Sequence, residues 1–144
     1  MLPNPSASGF TGSGFRGVLD ALRTSFQVEA AWAEGPSEAA AAARVAVEEG
    51  YDVVVAMGGD GVVHQAANGL VGSQTALGLV PAGTTNVLAR ILRVPNGAEA
   101  AAKALGGYEA RPFTLARLTP GSNRDAPRYA IFGLGVGFDA DVVE

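Results

Sequence analysis

Residues 53–68 read VVVAMGGDGVVHQAAN, and the architecture of the whole chain can be inferred from them. The apolar, β-branched run at 53–57 is typical of a strand that is buried on both faces of a parallel sheet. Gly58, Gly59 and Gly61 follow it, and glycine lets the backbone turn sharply and come close to a ligand. The residues after Gly61 have the apolar spacing of an amphipathic helix. The stretch therefore predicts a strand, a glycine turn and a helix N-terminus, in that order.

This glycine turn is suited to binding phosphate. The first N–H groups of a helix have no intrahelical acceptor, and the helix dipole is positive at that end. The turn matches neither the GxGxxG nor the GxxxxGK[ST] pattern. Asp60 sets it apart, because a carboxylate beside phosphates needs a divalent cation or a ligand hydroxyl between them. The alternative is an ordinary strand-to-helix turn that binds nothing.

Composition limits the classes of protein to consider. The chain has 144 residues and 48 % hydrophobic content, enough for one α/β core. Its net charge of −4 and its scattered basic residues argue against a nucleic-acid partner. With no Cys and a single His, at 64, neither a disulfide framework nor a zinc site is expected. No apolar run approaches the roughly 20 residues that span a bilayer, so we expect a cytoplasmic protein.

Strand and helix signals alternate along the sequence. This alternation predicts the α/β class, with an open, mostly parallel sheet and flanking helices. Ligands of such sheets bind at the carboxyl ends of the strands, where three loops rich in Gly, Ser, Thr or Asn should meet. Strands are predicted at 1–5, 28–32, 53–57 and 76–80, helices at 15–26, 36–49, 62–70, 84–92 and 97–105, and extended segments at 111–118 and 128–132.

A second informative segment, residues 81–90, reads PAGTTNVLAR. Gly83 permits a tight turn, and Thr84 or Thr85 could cap the next helix or bind a phosphate oxygen. The alternative is that the threonines are only caps and the arginines only a solvated face; the nearby glycine turn favours a nucleotide site. Helical spacing predicts that Val87, Leu88, Ile91 and Leu92 face the core and that Asn86, Arg90 and Arg93 face outward.

Several motifs, taken in order, resemble the diacylglycerol kinase catalytic-domain family, which includes bacterial lipid kinases and relatives of sphingosine kinases. They are Asn4-Pro5…Ser8-Gly9, Gly58-Gly59-Asp60-Gly61, Asn68-Gly69-Leu70, Pro81-x-Gly83-Thr84-x-Asn86…Ala89-Arg90 and Gly135-x-Gly137-Phe138-Asp139-Ala140. The resemblance implies a nucleotide domain similar to those of phosphofructokinase and NAD kinases. It also implies transfer of the γ-phosphate of ATP, with Mg²⁺, to a lipid hydroxyl such as that of diacylglycerol at a membrane surface.

The resemblance also implies the residues of the site. Asn4, Ser8 and Gly9 would border the nucleotide, Gly58, Gly59, Asp60 and Gly61 would wrap its phosphates, and Thr84 would touch it from the second loop. Asp60 is the expected catalytic residue, by positioning Mg²⁺. Val62 and Gln65 complete the predicted nucleotide-binding set, and the metal ligands are left unassigned.

The sequence departs from the family pattern at several of these places. Val62 and Gln65 stand where the family usually has Thr and Glu, and Val87 stands where it commonly has Asp. An amide cannot act as a base, and valine cannot hold a metal. Two alternatives therefore stay open: a non-catalytic nucleotide-binding module, and an enzyme similar to NAD kinases, which shares only the glycine turn. Further departures are Ala33, Thr85 and Thr114, where Thr, Gly and Asp are common.

The resemblance divides the chain into two parts. Residues 1–122 would form the ATP-binding domain, and residues 123–144 would begin a β-rich lipid-binding domain. We therefore interpret the chain as the nucleotide-binding half of a longer kinase, and expect it to be inactive in isolation. Unpaired sheet edges near the chain ends favour a homodimer.

Overall fold

The computed structural model describes residues 1–32, 36–119 and 127–133, and its first unit is built on a parallel sheet of order β1-β2-β3. Leu2 pairs with Ala56, and the β2–β3 register runs from Val53 with Ala76 to Gly58 with Pro81. This confirms the predicted open parallel sheet. The strands are β1 (Leu2–Pro3), β2 (Val53–Gly58) and β3 (Ala76–Pro81), and the helices are α1 (Gly12–Arg23), α2 (Pro36–Glu48), α3 (Asp60–Leu70), α4 (Val87–Ile91) and α5 (Ala98–Leu105).

Helices cover both faces of this sheet. Val55 and Met57 of β2 pack against α1 and α5, in a core that includes the fully buried Val18 and Leu22. Side chains alternate along a strand, so Val54 and Ala56 point to the other face, where α3 packs on β2 and α2 packs on α3. Burial on both faces explains why β2 is continuously apolar, and it fixes the position of the glycine turn at the strand end.

The predicted strand over 28–32 is wrong: the structure assigns none there. The segment nevertheless runs alongside β1. The Met1 amine donates to the Glu29 carbonyl at 2.6 Å, and the Ala31 N–H donates to the Met1 carbonyl at 2.9 Å. This is the pairing pattern of two parallel chains, but it involves only Met1, the residue before β1, and is too short for a strand ladder.

Helix α4 is shorter than predicted. Thr84 and Thr85 precede it rather than form its first turn, because Asn86 adopts a left-handed conformation with φ +51° and the helix begins at Val87. At the other end, Ile91 and Leu92 are exposed rather than buried in the core. The apolar spacing that predicted their burial holds only for Leu88 and its neighbour Ala89, because a helix of five residues ends before the next turn.

Residues 113–144 form the second compact unit. In it, β4 (Ala116–Leu118) and β5 (Arg128–Ala130) pair antiparallel, with Arg117 opposite Tyr129. The predicted extended segments are thus confirmed in shorter form. The lipid-binding assignment of residues 123–144 stays a prediction, as does the homodimer. Ala33 and the Gly135–Ala140 motif lie outside the described residues, and within the described ranges no helix is long and apolar enough to cross a membrane.

Candidate functional site

Three loops meet at the carboxyl edge of the sheet: the first loop (residues 4–11), the glycine loop (residues 58–61) and the third loop (residues 82–86). Backbone hydrogen bonds join the first loop to the third, with Gly9 N–H donating to the Ala82 carbonyl at 2.9 Å. Ala82 N–H donates to the Gly58 carbonyl at the same distance, and Asn4 N–H to the Met57 carbonyl. The expected convergence of the loops is therefore confirmed.

Glycine is required where the loops touch. A Cβ on Gly83 would overlap the Cα of Gly59, and a Cβ on Gly9 would lie 2.9 Å from the Ala82 carbonyl oxygen. A Cβ on Gly58 would lie 2.6 Å from Cγ1 of Val62. Gly61 is different, because a Cβ there would meet no packing neighbour within 4 Å in the part of the chain that the structure describes. Packing explains why glycine is needed at positions 83, 9 and 58, whereas Gly61 borders open space.

The glycine loop ends at the N-terminus of α3. Gly59 is the N-cap, in an extended conformation with φ −92° and ψ −170°, and it has no side chain to cap the helix. The N–H groups of Asp60, Gly61 and Val62 belong to the first turn, whose donors have no intrahelical acceptor. The exposed face at Gly61 can therefore present backbone donors to an anion.

Asp60 connects the glycine loop to the third loop. Its Oδ1 accepts a hydrogen bond from the Val87 N–H at 2.7 Å, so the first residue of α3 caps the first residue of α4. A carboxylate has about four acceptor sites on its two oxygens, so this bond engages only part of the group. Asp60 thus holds the two loops together and retains acceptor capacity toward the loop surface.

Asn86 lies in the candidate site and closes the third loop, a role that its predicted outward position did not indicate. Its Oδ1 accepts from the Gly83 N–H at 3.1 Å, and its Nδ2 donates to the Gly83 carbonyl at 2.7 Å. These bonds close the third loop and hold Gly83 against Gly59. The available signal was the residue type, since Asn tolerates the left-handed conformation better than most residues.

The remaining predicted residues divide into two groups. Ser8 and Thr84 come together, with their hydroxyl oxygens 3.1 Å apart, and Asn4 Oδ1 accepts from the Ser6 N–H in a local turn. Val62 is only 7 % exposed and lies beneath Gly58 rather than on the loop surface. Gln65 is half-buried, further along α3.

A small recess lies under the glycine loop, beside Asp60 and Asn86. It holds about 10 Å³, room for a single water and far less than a nucleotide or an acyl chain needs. A ligand of that size would therefore lie over the loops. Among the described residues, no three His, Cys, Asp or Glu side chains are grouped to hold a metal ion.

Comparisons with known proteins agree with this architecture. The family model for the diacylglycerol kinase catalytic domain matches residues 2–118. Proteins named diacylglycerol kinase from Staphylococcus aureus strains JH9 and Newman are 34 % identical over 87 residues, 56 % of this chain and 28 % of each relative.

The crystal structure of a diacylglycerol kinase from Bacillus anthracis Sterne superposes with a TM-score of 0.72 and 24 % identity. The superposition covers 79 % of this chain and 43 % of the Bacillus anthracis chain, and at this identity it shows a shared fold. This chain therefore spans less than half the length of these relatives.

Proposed function

The chain belongs to the diacylglycerol kinase catalytic-domain family, and from that premise we propose that it is the ATP-binding part of a lipid kinase. The complete protein would transfer the γ-phosphate of ATP to the hydroxyl of a lipid such as diacylglycerol, at the cytoplasmic face of a membrane. The observation that carries the proposal is the junction of the glycine loop with the third loop, through Gly59, Gly83 and the Asp60–Val87 bond. No finding favours the enzyme similar to NAD kinases.

The phosphates of ATP would lie over the N-terminus of α3. Gly61 supports this placement, because none of the packing neighbours among the described residues lies within 4 Å of the position that its Cβ would take. The N–H groups at 60–62 would bind phosphate oxygens, and the hydroxyls of Ser8 and Thr84 border the same edge. The first and third loops would then flank the nucleotide.

The residues present fit Mg²⁺ that is held largely by phosphates. Mg²⁺ in phosphoryl-transfer sites is typically bound by one or two carboxylates together with substrate phosphates and waters. Asp60 supplies one carboxylate, oriented by the Val87 N–H, whereas Val62 and Val87 offer no ligand atoms. When bound, Mg²⁺ would neutralise negative charge on the phosphates.

The chain's own contribution would be to hold the phosphate donor in position. Phosphoryl transfer depends mainly on positioning donor and acceptor and on stabilising charge. Gln65 is a neutral amide and cannot accept the proton of the lipid hydroxyl. Because the recess beside the proposed phosphate site cannot admit an acyl chain, we expect residues 1–144 to bind ATP without phosphorylating diacylglycerol.

A pair of glycine substitutions tests the nucleotide site. Gly61→Ala and Gly12→Ala both place a methyl group in open space in the first turn of a helix, α3 or α1. Titration of residues 1–144 with ATP and Mg²⁺, followed by amide NMR, should shift Gly59–Val62 and Thr84. We expect the methyl group of Gly61→Ala to keep phosphate away from the N–H donors and to weaken binding at least about tenfold, without loss of stability. Gly12→Ala should bind as the wild type does.

Equal ATP affinity in all three proteins would contradict the phosphate placement. Phosphatidic acid formation by the complete protein tests the activity separately. ATP binding without any turnover there would favour the non-catalytic nucleotide-binding module.

A further inference from the structure

The C-terminal end of α4 presents two aliphatic side chains to solvent. Ile91 is 60 % exposed and Leu92 is 50 % exposed, and the exposed Arg90 and Arg93 flank them. We refer to residues 90–93 as the RILR turn. Single exposed aliphatic residues are ordinary on protein surfaces. Here two adjacent aliphatic side chains lie between two cationic ones, which makes the surface amphipathic.

The backbone holds the RILR turn in this exposed position. Arg93 N–H donates to the Arg90 carbonyl and Val94 N–H donates to the Ala89 carbonyl, which is the Schellman pattern of helix termination. Arg93 occupies its left-handed position, with φ +56°, where glycine is the usual residue. A non-glycine residue held in this conformation is a local strain that invites a functional explanation.

The charges of the turn favour an anionic partner. Within the residues that the structure describes, neither Arg90 nor Arg93 forms an ion pair. A helix C-terminus favours cations by itself, so the arginines alone would prove little. The aliphatic pair favours a partner that is also apolar. An anionic phospholipid surface offers both, and it would attract this turn although the chain as a whole carries a net charge of −4.

The position of the turn fits such a contact. Helix α4 starts at Val87, which is bonded to Asp60, and its five residues extend roughly 8 Å at 1.5 Å per residue. The RILR turn thus lies about one short helix from the proposed phosphate site. A lipid kinase must bring its phosphate donor close to the membrane surface.

We propose that the RILR turn is a membrane contact that docks the nucleotide-binding unit on anionic phospholipid. Ile91 and Leu92 enter the interface between headgroups and acyl chains, and Arg90 and Arg93 bind lipid phosphates. The inference rests on the proposed lipid kinase function, since only a lipid acceptor requires this contact.

Vesicle co-sedimentation tests the proposal. Residues 1–144 would be mixed with vesicles of phosphatidylcholine and phosphatidylglycerol, or of phosphatidylcholine alone. We expect binding to the mixed vesicles, a loss of at least about tenfold in the Ile91→Ser/Leu92→Ser double variant, and a loss of about fivefold in Arg90→Gln or Arg93→Gln. Raised salt should weaken the wild type.

Two control variants are matched to these changes. Val71→Ser alters an aliphatic residue that is 37 % exposed at the end of α3, and Arg23→Gln alters an exposed arginine in the last turn of α1. Both should bind vesicles as the wild type does. No binding by the wild type, or equal losses in the controls, would overturn the proposal.

Stability and ATP titration on the same samples separate the remaining outcomes. The double variant should keep the wild-type melting temperature and ATP affinity. A double variant that melts earlier and still binds vesicles as the wild type does would overturn the membrane contact. Wild-type protein that binds ATP but not vesicles would overturn the membrane contact and leave the proposed function in place. Wild-type protein that binds vesicles but not ATP would overturn the proposed ATP site.

Discussion

Helices α1 and α3 both begin at the carboxyl edge of the sheet, but their first turns are treated differently. At α1, Thr11 Oγ1 accepts from the Gly14 N–H at 3.0 Å, so the protein caps its own helix. At α3 the N-cap is Gly59, which has no side chain. A glycine N-cap typically costs only a few tenths of a kcal/mol relative to Ser or Thr, so α3 tolerates the missing side chain at little loss of stability. The difference leaves the first backbone donors of α3 open to an anion, as the proposed phosphate placement requires.

The first N–H groups of α4 are capped in a third way. Its N-cap, Asn86, uses its side chain to hold Gly83, and the helix is capped from a distance by Asp60. The residue expected to position Mg²⁺ therefore also has a structural role. Four predictions separate these roles, in order of the expected effect.

The largest effect should come from filling the contact between Gly59 and Gly83. Gly83→Ala places a Cβ onto the Gly59 Cα, and because backbone atoms must move, we expect a loss of about 3 kcal/mol in the free energy of unfolding. Urea denaturation measures it. Gly69→Ala is a matched control, since its Cβ would overlap the Ala40 carbonyl oxygen between α2 and α3. Both should lose stability, but only Gly83→Ala should lose ATP binding in the folded fraction.

Substitution of Asp60 should separate its capping role from its charge. Asp60→Ala removes the acceptor for Val87 N–H and should cost about 1–2 kcal/mol of stability, whereas Asp60→Asn keeps an acceptor oxygen and should cost less than about 0.5 kcal/mol. If the charge positions Mg²⁺, Asp60→Asn should still lower turnover of the complete enzyme about 10²-fold. Near-wild-type turnover would leave Asp60 with the capping role alone.

Exchanging the capping chemistry of α1 and α3 tests the comparison directly. Thr11→Ala should cost about 1 kcal/mol and leave ATP affinity unchanged, because the proposed phosphate site is at α3 and not at α1. Gly59→Ser offers α3 a cap of its own and should weaken ATP binding while changing stability by less than about 1 kcal/mol. A Cβ added at Gly59 would lie 3.3 Å from the Gly83 Cα, a tight contact. Unchanged ATP affinity in Gly59→Ser would show that the α3 donors do not bind phosphate.

The smallest effect should be a gain. Arg93→Gly relieves a left-handed conformation that costs about 1–2 kcal/mol for a non-glycine residue, offset by about 0.4–1 kcal/mol of added entropy in the unfolded chain. We expect a net gain of about 0.5–1 kcal/mol in urea denaturation. A stability loss would mean that the Arg93 side chain makes a contact that outweighs the strain.

Much of the fold could be predicted because the segments with continuous or periodic apolar residues are also the segments buried in the core. The strand at 53–57 and the helix behind it are recognisable from continuous and periodic apolar residues, and the structure places both within a residue or two. Val63, Ala67 and Leu70, which helical spacing places on one face of that helix, are all buried.

The errors arose where long-range contacts override periodicity. The sequence at 84–92 fits a helix equally well with or without its first turn, and the choice is made by the Asn86 bonds to Gly83. The Asp60–Val87 bond joins residues 27 positions apart, so no local pattern indicates it. Ile91 and Leu92 were misassigned for a related reason, since their exposure depends on a turn that ends with arginine in a position usually held by glycine.

The hydrogen bond from Gly9 to Ala82 and the Ser8–Thr84 hydroxyl pair join the first and third loops through the protein's own atoms. Loops that are already connected do not have to be ordered by an incoming nucleotide. The association rate constant for ATP should therefore be set by diffusion and orientation rather than by a slow rearrangement of the loops. Affinity differences among variants of these loops would then appear mainly as differences in residence time.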